Sequence, residues 1–167
     1  MTIEKSFPNM VMVCVDGVEN GDIYGRYFHR YKKEETFFPD SATLIIEMER
    51  FYDAIGYPQA AIKTRKFIER KGGRIPAKEH MAVISDSQTL MQFRGKLATF
   101  LVGVTSRQNA SWQGQVVWME QQIRKHFCSD MDLMVFVDEA VKKSECNALF
   151  NAVCDNLYKR EKGGNYG

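Results

Sequence analysis

The chain has 167 residues, of which 44% are hydrophobic and 26% are charged, and its formal net charge is +2 at pH 7. This length and balance fit one globular domain whose core is large enough to do without disulfides or a structural metal. No apolar run reaches the roughly 18 residues of a transmembrane helix, and the N-terminus lacks a signal-peptide pattern, so we predict a cytoplasmic protein with no membrane partner.

The first segments predict a β-hairpin followed by a short strand. Residues 10–15 form a continuous apolar run, and residues 23–31 alternate in side-chain character with the period of two that is typical of a strand. Between them, Asn20 and Gly21 both tolerate positive φ, which favours a tight hairpin turn. Residues 35–38 are predicted to add a third, short strand.

A helix is predicted to follow this hairpin, beginning after Asp40 and ending at Gly56. The Asp40 carboxylate can accept hydrogen bonds from N–H groups of the first turn, and Gly56 supplies a stop signal. The apolar residues follow the spacing i, i+4, i+7, i+11 of an amphipathic helix. They are Leu44, Met48, Phe51 and Ile55.

Residues 57–97 connect this unit to the next and carry a localised positive charge. Between Lys63 and Lys78 there are seven basic side chains and one acidic residue, Glu69. Such a segment is either a solvated connector or a site that attracts phosphates or an acidic partner. The apolar run at residues 80–84 predicts a short strand near the end of the connector.

The pattern of the first unit then repeats at an offset of 89 residues. Residues 11–53 align without gaps on residues 100–142. Shared positions include Asn20 with Asn109, Gly25 with Gly114, and Phe38 with Phe127. Strands are predicted at residues 98–104, 112–120 and 123–127, and the next helix begins after Ser129, which resembles a capping residue. The sequence leaves open whether the two units share one sheet or form two.

A C-terminal helix is predicted over residues 144–162, and we expect its apolar stripe to close the core. The stripe consists of Cys146, Phe150, Val153, Cys154 and Leu157. The sequence therefore predicts an α+β protein made of two pseudo-symmetric ββ(β)α repeats with an antiparallel sheet, plus a C-terminal helix. The predicted parts of this single compact domain are a first repeat (1–56), a basic connector (57–97), a second repeat (98–142) and a helix with a tail (143–167).

Patterns that indicate catalysis or metal binding are scarce. The four cysteines include no CxxC pair and have no histidine near them, so we predict buried reduced thiols and no metal site. The three histidines are isolated in the sequence. No phosphate-binding loop and no hydrolase or metalloprotease motif is present. We therefore predict a protein that is not an enzyme and uses no cofactor.

The densest polar cluster lies at the hairpin of the second unit. It comprises Arg107, Gln108, Asn109, Ser111 and Trp112. Asn109 is explained by turn geometry, whereas Arg and Gln offer forked hydrogen bonding and Trp offers a stacking face. A polar hairpin with a core Trp is the structural alternative to a binding site.

Two functions are compatible with this cluster. The first is a non-catalytic binding or regulatory protein whose ligand or partner site is this hairpin or the cleft between the repeats. The second is a protein that binds a nucleotide, such as a cyclic dinucleotide, or nucleic acid. Its site would combine the hairpin with Trp118, Arg65, Arg70 and Arg74. The partner would be a phosphate-bearing small ligand or a protein, and the sequence also allows a homodimer.

Part of the hairpin resembles the signature of PilZ domains, the bacterial receptors of cyclic di-GMP. The string Asn109-x-Ser111-x-x-Gly114 resembles one half of that signature, and Arg70-x-x-x-Arg74 resembles the other half. The resemblance implies that two arginines clamp guanine and phosphate while the Asn/Ser turn completes the pocket. The helix predicted after three strands departs from the way a PilZ barrel continues.

A longer stretch, RQNASWQGQVVW, looks like small bacterial proteins, chiefly of Firmicutes, that carry an RQNxxWQGxVxW segment. The PQA-x-x-x-x-R-x-F pattern from Pro58 to Phe67 is similar to theirs as well. This family has no established activity. The resemblance therefore supports the architecture of two copies and implies no function.

Overall fold

The computed structural model describes residues 8–60, 81–108 and 111–162 of the chain. In these residues six strands and three helices follow one another, in an order that confirms the predicted α+β class. The elements are β1 (Val11–Glu19), β2 (Asp22–His29), β3 (Thr36–Phe38), α1 (Ser41–Ile55), α2 (Ser87–Leu90), β4 (Ala98–Gln108), β5 (Ser111–Trp118), β6 (Ile123–Phe127) and α3 (Asp130–Lys162).

The strands form one antiparallel sheet in the order β3-β2-β1-β4-β5-β6. The question that the sequence left open is thereby answered, because the two hairpins join edge to edge through β1 and β4. Met12 lies opposite Leu101 at the centre of this junction, and the pairing extends from Val11 opposite Val102 to Val15 opposite Ala98. The sheet therefore has β3 and β6 at its two edges.

The turn between β1 and β2 has the predicted form. Glu19 pairs with Asp22, and the two residues between them have positive φ, 53° for Asn20 and 81° for Gly21. These values fit the two-residue hairpin turns that match the twist of the flanking strands. Each central strand also contains a β-bulge. The bulge in β1 lies between Val15 and Gly17, and that in β4 lies between Val104 and Ser106.

Helix α1 has the predicted ends. The Asp40 side chain accepts a hydrogen bond from the Thr43 N–H at 2.6 Å, and Gly56 closes the helix in the left-handed conformation. The predicted stripe is largely confirmed, because Leu44, Met48 and Phe51 are buried, whereas Ile55 is only partly buried and Tyr52 joins the core.

The core has two parts, one on each face of the sheet. On one face α1 packs against β2 and β3, and α3 packs against β4, β5 and β6. The core on this face buries Val11, Val13, Val15, Phe100, Val102 and Val104. The opposite face carries a smaller cluster of Met10, Met12, Cys14, Phe28, Leu90 and Leu101. Leu90 belongs to α2, which the sequence did not indicate, and Phe93 just beyond it stacks on Phe28 at 3.8 Å between ring centroids.

The strand predicted at residues 80–84 is wrong for its described part. Residues 81–84 have no regular structure, and the backbone N–H of Ile84 donates to the Arg30 carbonyl at 2.8 Å. Met81, Val83 and Ile84 are all substantially exposed. Although this apolar run has the length of a strand, its described residues do not form a buried strand. The predicted connector residues 61–80 lie outside the described residues.

The C-terminal helix is present, but its predicted role in closing the core is wrong. It is the second half of α3, which runs without a break across the expected boundary at residues 142 and 143. The first half packs on the sheet through Leu133, Phe136, Val137, Ala140 and Val141. In the second half Leu149, Phe150 and Val153 are 68%, 69% and 57% exposed. The helical period identified the apolar stripe but could not tell what covers it.

Candidate functional site

Two clefts lie between a long helix and the hairpin of the other half of the chain. The α1 cleft has a volume of about 470 Å³ and is lined by Ile45, Ile46, Glu49, Arg50, Asp53, Ala60, Arg107, Ser111, Trp112 and Asp130. The α3 cleft has a volume of about 460 Å³ and is lined by Val18, Gly21, Asp22, Ile23, Ser41, Met131, Met134, Val135, Asp138, Val141, Lys142 and Glu145.

The α1 cleft is organised by the side chain of Arg107, which is only 4% exposed. Its Nη1 donates to Glu49 Oε1 and to Asp53 Oδ1, both at 2.8 Å. Its Nε donates to the Pro58 carbonyl at 2.7 Å. Because an isolated buried guanidinium is costly, these three acceptors are what make its burial tolerable.

Trp112 belongs to the same arrangement. Its indole Nε1 donates to the second carboxylate oxygen of Glu49 at 2.6 Å, and its ring meets Tyr52 edge-on at 5.4 Å between centroids. The Arg107 guanidinium lies over the Tyr52 ring at 5.7 Å. The cation and the aromatic side chain that the sequence suggested for ligand binding therefore bind other parts of the protein. A phosphate ligand would have to displace two carboxylates from Arg107.

The structure brings only some of the predicted site residues together. Arg107, Ser111 and Trp112 line the α1 cleft, and Gln108 is exposed at the strand end opposite Ser111. Trp118 lies six residues farther along β5, roughly 20 Å away at the rise of a strand, and is buried. Residues outside the described part of the chain are Arg65, Arg70, Arg74 and Asn109.

The α3 cleft was not predicted residue by residue, and its interior is apolar. The apolar lining consists of Val18, Ile23, Met131, Met134, Val135 and Val141. Four of the polar side chains that line it form hydrogen bonds in pairs, Asp22 with Ser41 and Lys142 with Asp138. Asp22 accepts hydrogen bonds from the backbone and hydroxyl of Ser41 at 3.2 and 2.9 Å. Lys142 donates to Asp138 at 2.6 Å, and this hydrogen bond raises the pKa of the Lys142 ammonium.

The two clefts are lined at positions related by the 89-residue offset. Glu49 in one corresponds to Asp138 in the other, Ser111 to Asp22, Arg107 to Val18, and Trp112 to Ile23. The α1 cleft thus has a buried ion pair and an indole where the α3 cleft has two aliphatic side chains. The sequence analysis placed the candidate site at the polar hairpin that contains Arg107 and Trp112.

Of the four cysteines, all of which lie in the described residues, only Cys14 is buried. Burial raises the pKa of the Cys14 thiol to about 12, which leaves it protonated and unreactive at neutral pH. The other cysteines, Cys128, Cys146 and Cys154, are exposed, so the prediction of buried thiols is wrong for three of the four. Across the described ranges no group of three or more His, Cys, Asp or Glu side chains could hold a metal ion.

His29 is a buried structural residue that makes stability depend on pH. Its ring stacks on Phe51 at 4.2 Å, and its Nδ1 accepts the Tyr31 N–H at 3.2 Å. Burial, assisted by the positive charge of Lys32, lowers the pKa of His29 from 6.5 to about 4. The folded protein therefore holds a neutral imidazole at pH values where the unfolded chain already binds a proton.

We expect the free energy of unfolding to be insensitive to His29 above pH 6.5 and to fall as the pH drops towards 4. Because 1.36 kcal/mol corresponds to one pKa unit, the loss between pH 6.5 and 5 should be about 2 kcal/mol. Urea unfolding at both pH values measures it. His29→Gln should abolish most of this loss, whereas the same change at the exposed His126 should leave it intact; an unaltered slope in His29→Gln would contradict the assignment.

Comparison with known proteins gives the chain no family. No family model, no curated protein and no solved structure matches it. Among the helices of the described residues, none has both the length and the apolar character needed to cross a membrane. The site therefore has to be interpreted from its own geometry.

Proposed function

We propose that this protein is a non-catalytic binding protein that acts in the cytoplasm and binds a small, mainly apolar ligand in the α3 cleft. The observation that carries the proposal is a cavity of about 460 Å³ with an apolar lining and a few fixed polar groups. Cavities of this size and composition are typical of small-molecule sites. Four free cysteines, none in a disulfide, fit a reducing compartment.

The charges around the α3 cleft narrow the class of ligand. Asp22, Asp138 and Glu145 contribute three carboxylates, whereas Lys142 contributes one ammonium that is already paired with Asp138. A free anionic group would meet a net negative surface there. We therefore expect an apolar body with a neutral or cationic polar group. Met131 and Met134 suit such a body, because their unbranched thioether side chains adapt to irregular shapes.

The α1 cleft is the weaker candidate for the same function. Arg107, the cation buried in it, directs its hydrogen bonds to Glu49, Asp53 and Pro58. Glu49 and Asp53 line this cleft and would repel an anionic ligand, whereas the apolar side chains of the α3 cleft lose nothing when a ligand displaces water. The alternative, a nucleotide or nucleic-acid site, would depend on Arg65, Arg70 and Arg74.

We also propose that the chain consists of two ββ(β)α repeats and that the α3 cleft lies between them. Support comes from β2 and β5, which span residues 22–29 and 111–118, and from bulges that follow Val15 and Val104. Gly25 pairs with Phe38 just as Gly114 pairs with Phe127. All of these positions differ by 89. Met12 and Leu101, also 89 apart, face each other at the β1–β4 junction, where a twofold axis would pass.

The proposed site can be tested with 1-N-phenylnaphthylamine, a neutral dye whose fluorescence rises in apolar surroundings. We expect saturable binding of one dye per chain. Arginine is the residue type that fills the α1 cleft. In Val18→Arg it would fill the α3 cleft instead, which Asp138 also lines, and we expect dye binding to weaken by about tenfold or more. Gln113→Arg adds the same charge at an exposed position of β5 and should bind dye normally, as should Phe150→Asp on the distant half of α3.

Dye binding that survives Val18→Arg unchanged would exclude the α3 cleft as the site. A parallel thermal-shift series with nucleotides and cyclic dinucleotides tests the alternative function, which is nucleotide or nucleic-acid binding. Stabilisation by one of these, weakening as the salt concentration rises, would favour a phosphate site instead. Binding of the dye together with no response to any nucleotide is the expected outcome.

A further inference from the structure

The second half of α3 is an amphipathic helix that extends beyond the sheet. Cys146, Leu149, Phe150 and Val153 follow the spacing i, i+3, i+4, i+7 and share one face. The opposite face carries Asn147, Asn151 and Asp155. All of these residues are exposed, and Phe150 reaches 69%. Exposed apolar side chains that are contiguous along a helix mark an interaction surface more often than scattered ones do.

We propose that this apolar face of α3 pairs antiparallel with the same face of a second copy of the chain. The charges beside the stripe are what favour a second copy over an unrelated partner. Glu145 and Lys159 lie on the same flank of the helix. Glu145 is about two turns before residue 152, and Lys159 is about two turns after it. Only an antiparallel pair brings each Glu145 next to Lys159 of the other copy, so that the surface complements itself.

The register of this pair follows from the heptad geometry of helices. Packing Leu149 beside Val153 of the second copy places two symmetric apolar layers at the centre of the contact. The same register brings the two Phe150 side chains together on one edge and the Glu145–Lys159 pairs onto the other edge. A parallel pair would instead set each Glu145 beside Phe150 of the other copy and would bring no Glu145 next to Lys159.

The size of the surface sets the expected strength of the dimer. The stripe spans about one heptad, and its area falls short of the roughly 800 Å² per partner of a standard stable interface. The dimer should therefore be weak and reversible, forming as the protein concentration rises through the micromolar range. A monomer at low concentration and a dimer at high concentration are both expected.

Sedimentation equilibrium of the full chain, in a reducing buffer that prevents disulfide crosslinks, measures this association. Phe150→Asp should raise the dimer dissociation constant by about tenfold or more, because it places a charge in the apolar contact. Asn151→Asp adds the same charge one residue away on the polar face and should change the constant by less than about twofold. Circular dichroism and thermal unfolding of both variants check that the fold is kept. A monomer at every concentration would overturn the proposal, as would a dimer whose dissociation constant is unchanged by Phe150→Asp.

Charge reversal tests the antiparallel register itself. Glu145→Lys and Lys159→Glu should each weaken the dimer by about threefold to tenfold, because each replaces two attractive pairs by two repulsive ones. The double variant restores opposite charges in the antiparallel register and should return the dissociation constant to near that of the unmodified chain. A double variant that is weaker than either single change would rule this register out.

Discussion

Replacing Gly25 by alanine should lower the free energy of unfolding by about 3 kcal/mol or more, and the same change at Gly114 should cost a similar amount. A Cβ on Gly25 would lie 2.0 Å from the carbonyl oxygen of Cys14, and a Cβ on Gly114 would lie 2.1 Å from that of Gly103. Both clashes are with backbone, which cannot rotate away. The neighbouring strand would have to move.

The β-bulges explain why both strands need glycine at this point. Gly25 lies opposite Val15, directly before the bulge in β1, and Gly114 lies opposite Val104, directly before the bulge in β4. A bulge bends its strand and increases the local twist, so that the partner strand approaches closely. Both glycines therefore have a structural role.

Urea unfolding of Gly25→Ala, Gly114→Ala and a control, Gly21→Ala, measures these costs. A Cβ on Gly21 meets nothing within 4 Å, but its φ of +81° is unfavourable for alanine. The control should therefore lose only about 1 kcal/mol. Similar losses at Gly25 and Gly114, both well above that at Gly21, are the expected pattern. A loss at Gly25 no larger than that at Gly21 would show that the strand can relax around a methyl group.

The local parts of the fold could be predicted because local chemistry determines them. The turn at Asn20 and Gly21 and the helix start at Asp40 depend on residues within a few positions of one another. The junction of β1 with β4 could not be predicted, because strand periodicity does not specify which edge a strand will meet. The exposure of Phe150 was missed for a related reason: a helical stripe shows which side chains are apolar but not whether another element covers them.

The site was harder to predict than the fold, because its contacts join distant parts of the sequence. Arg107 was identified as a candidate ligand-binding residue on the grounds of its type and position. Its acceptors, Glu49 and Asp53, lie 58 and 54 residues earlier in the chain, and only the packing of α1 against the second hairpin brings them to it. No residue of the α3 cleft belongs to the polar cluster that the sequence analysis identified. The cleft's aliphatic residues Val18 and Ile23 lie 89 residues before Arg107 and Trp112, the offset of the sequence pattern.

Removing both carboxylates that bind Arg107 should lower the free energy of unfolding more than most substitutions of exposed side chains do. In Glu49→Ala/Asp53→Ala the guanidinium, 4% exposed, keeps the Pro58 carbonyl but loses both counter-charges. Breaking a buried pair in this way costs about 3–5 kcal/mol, because an uncompensated buried charge remains. Arg107→Met should cost less, since it removes the charge that needs compensation and leaves carboxylates that are 41% and 66% exposed and can hydrate.

The order of these two losses tests whether Arg107 has a structural or a ligand-binding role. Chemical unfolding should rank the double variant as less stable than Arg107→Met, and adding Arg107→Met to the double variant should recover part of the stability. Asp138→Ala is the matched control, because Asp138 is a carboxylate on the other long helix, 89 residues after Glu49, and pairs with exposed Lys142. It should have little measurable effect. If the double variant were as stable as the unmodified chain, Arg107 would not depend on these carboxylates, and the α1 cleft would again be open to an anionic ligand.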